Sequence, residues 1–144
     1  MSSEDEPQSI KDLYAEAEAS RAALEYHRDP RSESFTTSLA TTLAIYTRCR
    51  DQIAAVSLFS PNESLEDVAT SSLPYMLLDL RLAEVVQRTP YVDPPQRKLL
   101  VRRARAAYDS FLSLVDSYSL VTGRYAKLLK RYREDPEKFA VKKN

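Results

Sequence analysis

The chain predicts an all-α protein of antiparallel helical hairpins, a tetratricopeptide-like bundle of about six helices. Three observations predict it. There is one glycine, Gly123, in 144 residues. Helix formers and short polar residues (Ala, Leu, Arg, Glu, Tyr, Ser) dominate the composition. Apolar residues recur at helical spacing between capping residues and X-Pro stops. The glycine count weighs most, because tight β-hairpins and phosphate-cradling loops need the positive φ and close backbone approach that glycine supplies cheaply.

Each element has its own signals. Residues 1–8 are charged and polar without periodicity and are expected to be disordered. Ser9 reads as an N-cap, with Asp12 three residues on. Ile10, Leu13, Tyr14, Ala17 and Leu24 then form one apolar face of a helix ending near His27, because Asp29-Pro30 blocks continuation. Ser32 or Ser34 restarts the chain, and Phe35, Leu39, Leu43, Tyr46, Ile53 and Val56 define a longer helix to about Ser57. Its threonines Thr36, Thr37, Thr41 and Thr42 each cost several tenths of a kcal/mol against alanine, so this helix relies on packing.

Ser60-Pro61-Asn62 is a turn, and Ser64 with Asp67 caps a short helix bearing Leu65 and Val68. After Thr70-Ser71-Ser72 a new helix is expected with Pro74 in its first turn, where the missing N–H costs nothing. Leu73, Leu77, Leu80 and Val85 form its strip, widened by Met76, Leu78, Leu82 and Val86. With more than half its circumference apolar, it should be the central helix. Thr89-Pro90 stops it, and Asp93-Pro94 starts a helix of about seven turns carrying Leu99, Leu100, Ala104, Ala107, Tyr108, Phe111, Leu112, Val115 and Tyr118. The last helix is expected from near Leu120, bent at Gly123, with Tyr125, Leu128, Leu129 and Tyr132, ending before Asp135-Pro136. Residues 9–133 thus read as a single helical domain. Residues 134–144 read as an extended tail without a stop signal, as in a chain cut from a longer one.

Composition bounds the function. At 43% apolar and 29% charged residues, the chain fits a soluble domain. No stretch reaches the ~18–20 apolar residues of a membrane span, and the acidic start MSSEDEPQS is no secretory signal. A lone cysteine, Cys49, forbids an intramolecular disulfide and suits a reducing compartment. The expected location is therefore the cytoplasm, or cytoplasm and nucleus. Formal net charge is zero, but it is segregated. Residues 1–30 carry eight acids against three bases, and residues 97–133 ten bases against two acids. Either the two ends neutralise each other across the bundle, or the basic segment faces a partner.

Catalytic constellations are missing. His27, the sole imidazole, lies at an expected helix C-terminus, where it would meet end carbonyls and the helix dipole. Cys49 would need a base to act as nucleophile, and its neighbours Arg48 and Arg50 do not share its helix face. It reads as a small core residue. Two Cys/His residues cannot make a four-ligand zinc site, and no Glu-x-x-His pair suggests a di-iron bundle. No cofactor and no enzymatic activity are expected.

The run LFSPNESLEDVATSSLPYMLLDLRLAEVV, from Leu58 to Val86, resembles the family of type 2A phosphatase-associated proteins, whose animal members are called immunoglobulin-binding protein one. The resemblance rests on Leu58-Phe59-Ser60, Asn62-Glu63, Leu65 to Val68, Ala69-Thr70-Ser71, Leu73 to Leu78 and Leu82-Ala83-Glu84. Downstream, Arg103, Ala107, Tyr108, Phe111-Leu112 and Tyr118-Ser119-Leu120 match the family's following helix. It covers residues 58–120 strongly. It implies a tetratricopeptide-like domain that binds the catalytic subunit of type 2A, 4 or 6-like protein phosphatases, sequestering or stabilising it within TOR signalling. Family docking uses an Arg-x-x-Lys arrangement, and Arg124-Tyr125-Ala126-Lys127 has that spacing. It follows Tyr118-Ser119-Leu120 directly, where the family often has a loop, so the docking helix is either this one or one beyond Asn144.

The candidate partner-binding residues are accordingly Arg124, Tyr125, Lys127, Lys130, Arg131 and Tyr132, on a chain expected to be monomeric. Two other readings stay open. One is a general helical scaffold for an acidic peptide. The other is a single-strand RNA binder using the interleaved bases and tyrosines of 124–133, which the pI near 6.6 disfavours.

Overall fold

The computed structural model describes residues 9–138. Among them are five α-helices and no strand. The helices are α1 (Ile10–Ala23), α2 (Glu33–Ala55), α3 (Leu78–Gln87), α4 (Pro94–Ser117) and α5 (Gly123–Glu134). The expectations for residues 1–8 and for the last six residues lie outside the described residues. Start signals act as the sequence indicates: Ser9 accepts from the N–H of Asp12, Ser32 from Phe35 and Asp93 from Gln96, with Pro94 opening α4.

The count is five rather than about six, because the stretch before α3 winds as 3-10 turns. The Ser64 signal is real: the Asp67 carboxylate takes both the N–H and the hydroxyl of Ser64 at 3.1 Å. However, Leu65–Asp67 makes a single 3-10 turn, after which Val68 and Ala69 are extended. A cap followed by so few residues cannot offset the cost of an α-helical nucleus. Thr70–Leu77 is also 3-10, with Pro74 inside it rather than in the first turn of an α-helix. Proline there would cost an α-helix its bond to residue 70 and clash with that carbonyl. The Leu78 N–H returns to the Tyr75 carbonyl and closes the 3-10 segment, and the α-helix begins at Leu78. Leu73 and Leu77, expected on the buried strip, are partly exposed.

Two further expectations fail at the chain's end. Residues 120–122 are not helical, and Gly123 opens α5 with φ +59° instead of bending a helix from Leu120. The expected tail from residue 134 is not extended where it is described. Glu134 closes α5, and the N–H of Lys138 returns to the Asp135 carbonyl in a turn after Pro136.

Side-chain pairs give the topology. Cys49, Tyr46 and Thr42 of α2 meet Ile10, Glu18 and Ser20 of α1, so the two helices run antiparallel. Helix α3 packs on both α2 and α4 and is the central element, as its wide apolar surface requires. The main core joins Leu13, Ala17 and Leu24 of the first segment to Phe35, Leu39, Ile45, Tyr46 and Cys49 of α2 and Leu78, Leu82 and Val85 of α3. On the far side of α3, buried Ala83 and Val86 accompany buried Ala104 and Ala107 of α4, and such small residues let two helices run close. Leu99, expected inward, is exposed.

Thr36, Thr42 and Thr47 of α2 are accommodated by hydrogen bonds to the carbonyl four residues back. Thr42, fully buried, donates to the Ser38 carbonyl at 2.8 Å and lies 2.6 Å from the Ser20 hydroxyl. His27 sets its ring edge-on to Phe35, with centroids 5.7 Å apart.

Candidate functional site: the basic helix and its groove

Helix α5 owes its position to three of its residues. Leu129 is buried. Tyr132 donates its hydroxyl to Asp109 Oδ1 at 2.6 Å and accepts from Arg105 Nε at 3.0 Å, while the Arg105 guanidinium also lies over the Tyr132 ring. The bond to Tyr132, together with the carboxylates of Asp109 and Glu137, holds Arg105 above its ordinary pKa. Arg133 pairs with Asp116 at 2.9 Å.

The remaining bases point elsewhere. At about 100° per residue, Arg124, Lys127 and Arg131 fall within one ~60° arc of the helix, with Lys130 ~60° beyond it. All four are exposed, and none forms an ion pair with another described residue. The acidic first helix is not their counterweight. Its Glu18 binds Arg21 at 3.0 Å and Arg81 of α3 at 3.7 Å, while Glu25 binds Arg88 at 3.0 Å. Of the two outcomes left open by the charge asymmetry, neutralisation of one end by the other is absent among the described residues.

Between α4 and α5 lies an open groove of about 750 Å³. Val101, Tyr108, Leu112 and Val115 of α4 form one side, and Tyr125 and Leu128 of α5 the other. Tyr125 remains 71% exposed and Val101 55%. The structure therefore brings four of the six candidate residues to one edge: Tyr125 in the groove, and Arg124, Lys127 and Arg131 on the adjoining face, while Lys130 lies toward Asp116, Ala126 and Arg133. Tyr132 differs, since its hydroxyl is committed to Asp109 and Arg105.

The sequence did not single out the groove. Its signal was a second apolar stripe on α4 (Val101, Tyr108, Leu112, Val115) that periodicity merges with the stripe facing α3.

The Leu58–Val86 run that carries most of the family resemblance lies apart from this site, whereas the downstream matches Tyr108, Phe111, Leu112 and Leu120 line the groove. Phe59 meets Tyr118 edge-on with centroids 6.1 Å apart, and the Tyr118 hydroxyl is hydrogen-bonded to the Glu63 carboxylate and, at 3.5 Å, to the Ser60 carbonyl. These residues fasten the segment after α2 to the end of α4. Cys49 is fully buried, donates weakly to the Ile10 carbonyl, and has its thiol pushed up to about 11 by burial. No helix of the described residues is long and apolar enough to cross a membrane.

Successive antiparallel helices with an unsatisfied basic face beside an apolar groove define a helical protein of the interaction class. The chain belongs to the TAP42-like family, which it matches over residues 10–144. It is 29% identical over 115 residues to an uncharacterized protein of Schizosaccharomyces pombe, covering 80% of this chain and 32% of that one. It is 32% identical over 77 residues to the PP2A regulatory subunit TAP46 of Arabidopsis thaliana, covering 54% of this chain and 18% of that protein. The rice protein of the same name is 26% identical over 88 residues, covering 61% of this chain and 20% of its own length. The chain thus spans at most about a third of these curated relatives.

Proposed function

We propose that this chain is a non-catalytic regulatory module that binds the catalytic subunit of type 2A-like protein phosphatases, the type 4- and 6-like enzymes included. In this reading it holds that subunit in a stabilised or sequestered state as part of TOR signalling in the cytoplasm. One observation carries it: Arg124, Lys127 and Arg131 share an exposed face with no ion-pair partner among the described residues, in a family whose plant members are named PP2A regulatory subunits. Unpaired surface charge of one sign steers an oppositely charged partner and gives salt-dependent association, while affinity comes from adjacent anchors such as Tyr125.

The test is capture of purified type 2A catalytic subunit by this chain and by a triple charge-reversal variant, Arg124→Glu, Lys127→Glu and Arg131→Glu. The wild-type chain should retain the subunit, and the variant should bind at least about tenfold more weakly. Failure of the wild-type chain to bind rejects the reading, and equal binding by both rejects the site.

A further inference from the structure

We infer that the α4–α5 groove receives an amphipathic helix of about four turns whose polar edge is acidic. This deepens the reading of the α5 face as a docking surface and rests on it, but it names the chemistry of the docked segment.

Length comes first. The α4 side runs from Val101 to Val115, which at 1.5 Å per residue is ~21 Å, or about four helical turns. Chemistry comes next. The side chains that face each other across the groove are aliphatic or aromatic, and Tyr125, Val101 and Leu120 among them are 71%, 55% and 45% exposed. A contiguous exposed apolar patch of this kind marks an interaction site.

The guest's shape follows from the walls. Val101, Tyr108, Leu112 and Val115 of α4 and Tyr125 and Leu128 of α5 present knobs at helical spacing, the surface that an amphipathic helix fills in helix-in-groove recognition. A helix laid there would cover the second apolar stripe of α4, as α3 covers the first.

Charge sets the guest's polar edge. Leu128 lies about 40° around α5 from Arg124, so the groove wall grades directly into the face of Arg124, Lys127 and Arg131. Those bases have no carboxylate partner among the described residues. Asp109, the acid lining the groove, is already held by Tyr132. A guest with basic flanks would meet only like charge, whereas acidic flanks would pair with three guanidinium and ammonium groups.

The test uses the whole chain and two labelled peptides of about 16 residues, long enough to span the groove. Both carry leucines at i, i+3, i+4, i+7 and i+11, one with glutamates along the flank and the other with lysines. By fluorescence anisotropy the glutamate peptide should bind at least about tenfold more tightly, with the advantage shrinking as salt rises from about 50 to 300 mM. Val101→Glu, which alters an already exposed side chain, should remove binding. Arg124→Glu with Arg131→Glu should reverse the preference.

Equal binding of the two peptides, or binding untouched by Val101→Glu, overturns the inference. So does a dimer in sedimentation that Val101→Glu dissolves, which gives the groove to a second copy. Peptide binding that tightens about tenfold on removal of residues 139–144 gives it to the chain's own end. If the catalytic subunit is captured equally by wild type and Val101→Glu, the groove inference falls and the phosphatase reading stands. If the glutamate peptide binds as expected and the subunit does not, the reverse holds.

Discussion

Tyr132 and Asp109 form the bond that sets where α5 lies: the hydroxyl reaches the carboxylate at 2.6 Å, across the gap between the last two helices. Arg105 donates into the same hydroxyl, so one phenol oxygen joins a base and an acid of α4 to α5. Elsewhere α5 touches the body of the protein sparingly.

Replacing Tyr132 with phenylalanine should therefore loosen α5 selectively. A net loss of about 1–2 kcal/mol is expected, as for a hydrogen bond to a charged group that leaves Asp109 short of a donor. Amide exchange should speed up in α5 with little change in α1 or α2. Uniform acceleration across all helices would contradict a local role for this bond.

Stability should depend on pH through two carboxylates of opposite sign. Burial alone would raise Glu18, but hydrogen bonds from Tyr46 and Arg21 and the charges of Arg21 and Arg81 outweigh it and hold its pKa below the usual 4.5. A carboxyl depressed in the folded state contributes stability that is full above its unfolded value and is lost as pH falls through the folded value. Denaturant midpoints should thus drop as pH falls from about 4.5 downward, and Glu18→Gln should flatten that drop.

Asp79 is raised by burial, only partly countered by Arg50, and its Oδ1 has no hydrogen-bond partner. Ionised at neutral pH, it opposes folding. Asp79→Asn should raise the neutral-pH midpoint, and the gain should fade as the wild-type carboxyl protonates in acid.

Two helix ends use serine where glycine is usual. Ser57 (φ 49°) follows α2 and Ser119 (φ 60°) follows α4. At each, the next residue's N–H returns to the helix, from Leu58 to Ile53 and from Leu120 to Val115, in the six-to-one pattern of a left-handed C-cap. Left-handed backbone costs an L-residue ~1–2 kcal/mol, and glycine's extra unfolded-state entropy returns ~0.5–1. Ser57→Gly or Ser119→Gly should therefore stabilise by about 0.5–1 kcal/mol each. Thermal melts that shift downward would show that the serine side chains contribute more than their backbone strain costs.

Cys49 should be inert in the native protein. With no exposed surface and its thiol raised to about 11, it offers almost no thiolate near neutrality. A colorimetric thiol reagent should fail to label it at neutral pH and should label one thiol per chain in denaturant. Rapid native labelling would mean that the α1–α2 hairpin opens readily.

The sequence disclosed most helices because their boundaries are written in local chemistry: Ser9, Ser32 and Asp93 each cap a helix through bonds to residues three positions on. Interiors were legible where a single stripe faces the core, as on α1. The stretch from Ser64 to Leu77 was misjudged because a capping signal reports where a turn starts and not whether it can propagate, and Pro74 limits propagation. Leu120 to Thr122 was misjudged because apolar spacing continues through residues whose backbone is not helical.

At the site, the sequence offered Arg124, Lys127 and Arg131 as candidates through the Arg-x-x-Lys resemblance and the basic run, and left open whether they share a face. The commitment of Tyr132 was not legible, since Asp109 and Arg105 approach it from another helix, and no periodicity within α5 encodes that meeting.

The non-helical step at Leu120–Thr122 gives α5 a fulcrum at one end, while Tyr132 and Arg133 clasp it at the other. A rod of 12 residues is ~18 Å long, so tilting it 10° about its base carries the tip ~3 Å. Any carboxylate that competes for Arg133, or any cation that competes for Asp109, would unclasp the tip and let the rod swing. The width of the trough beside it is thus adjustable by surface ion competition, with the rest of the scaffold left still.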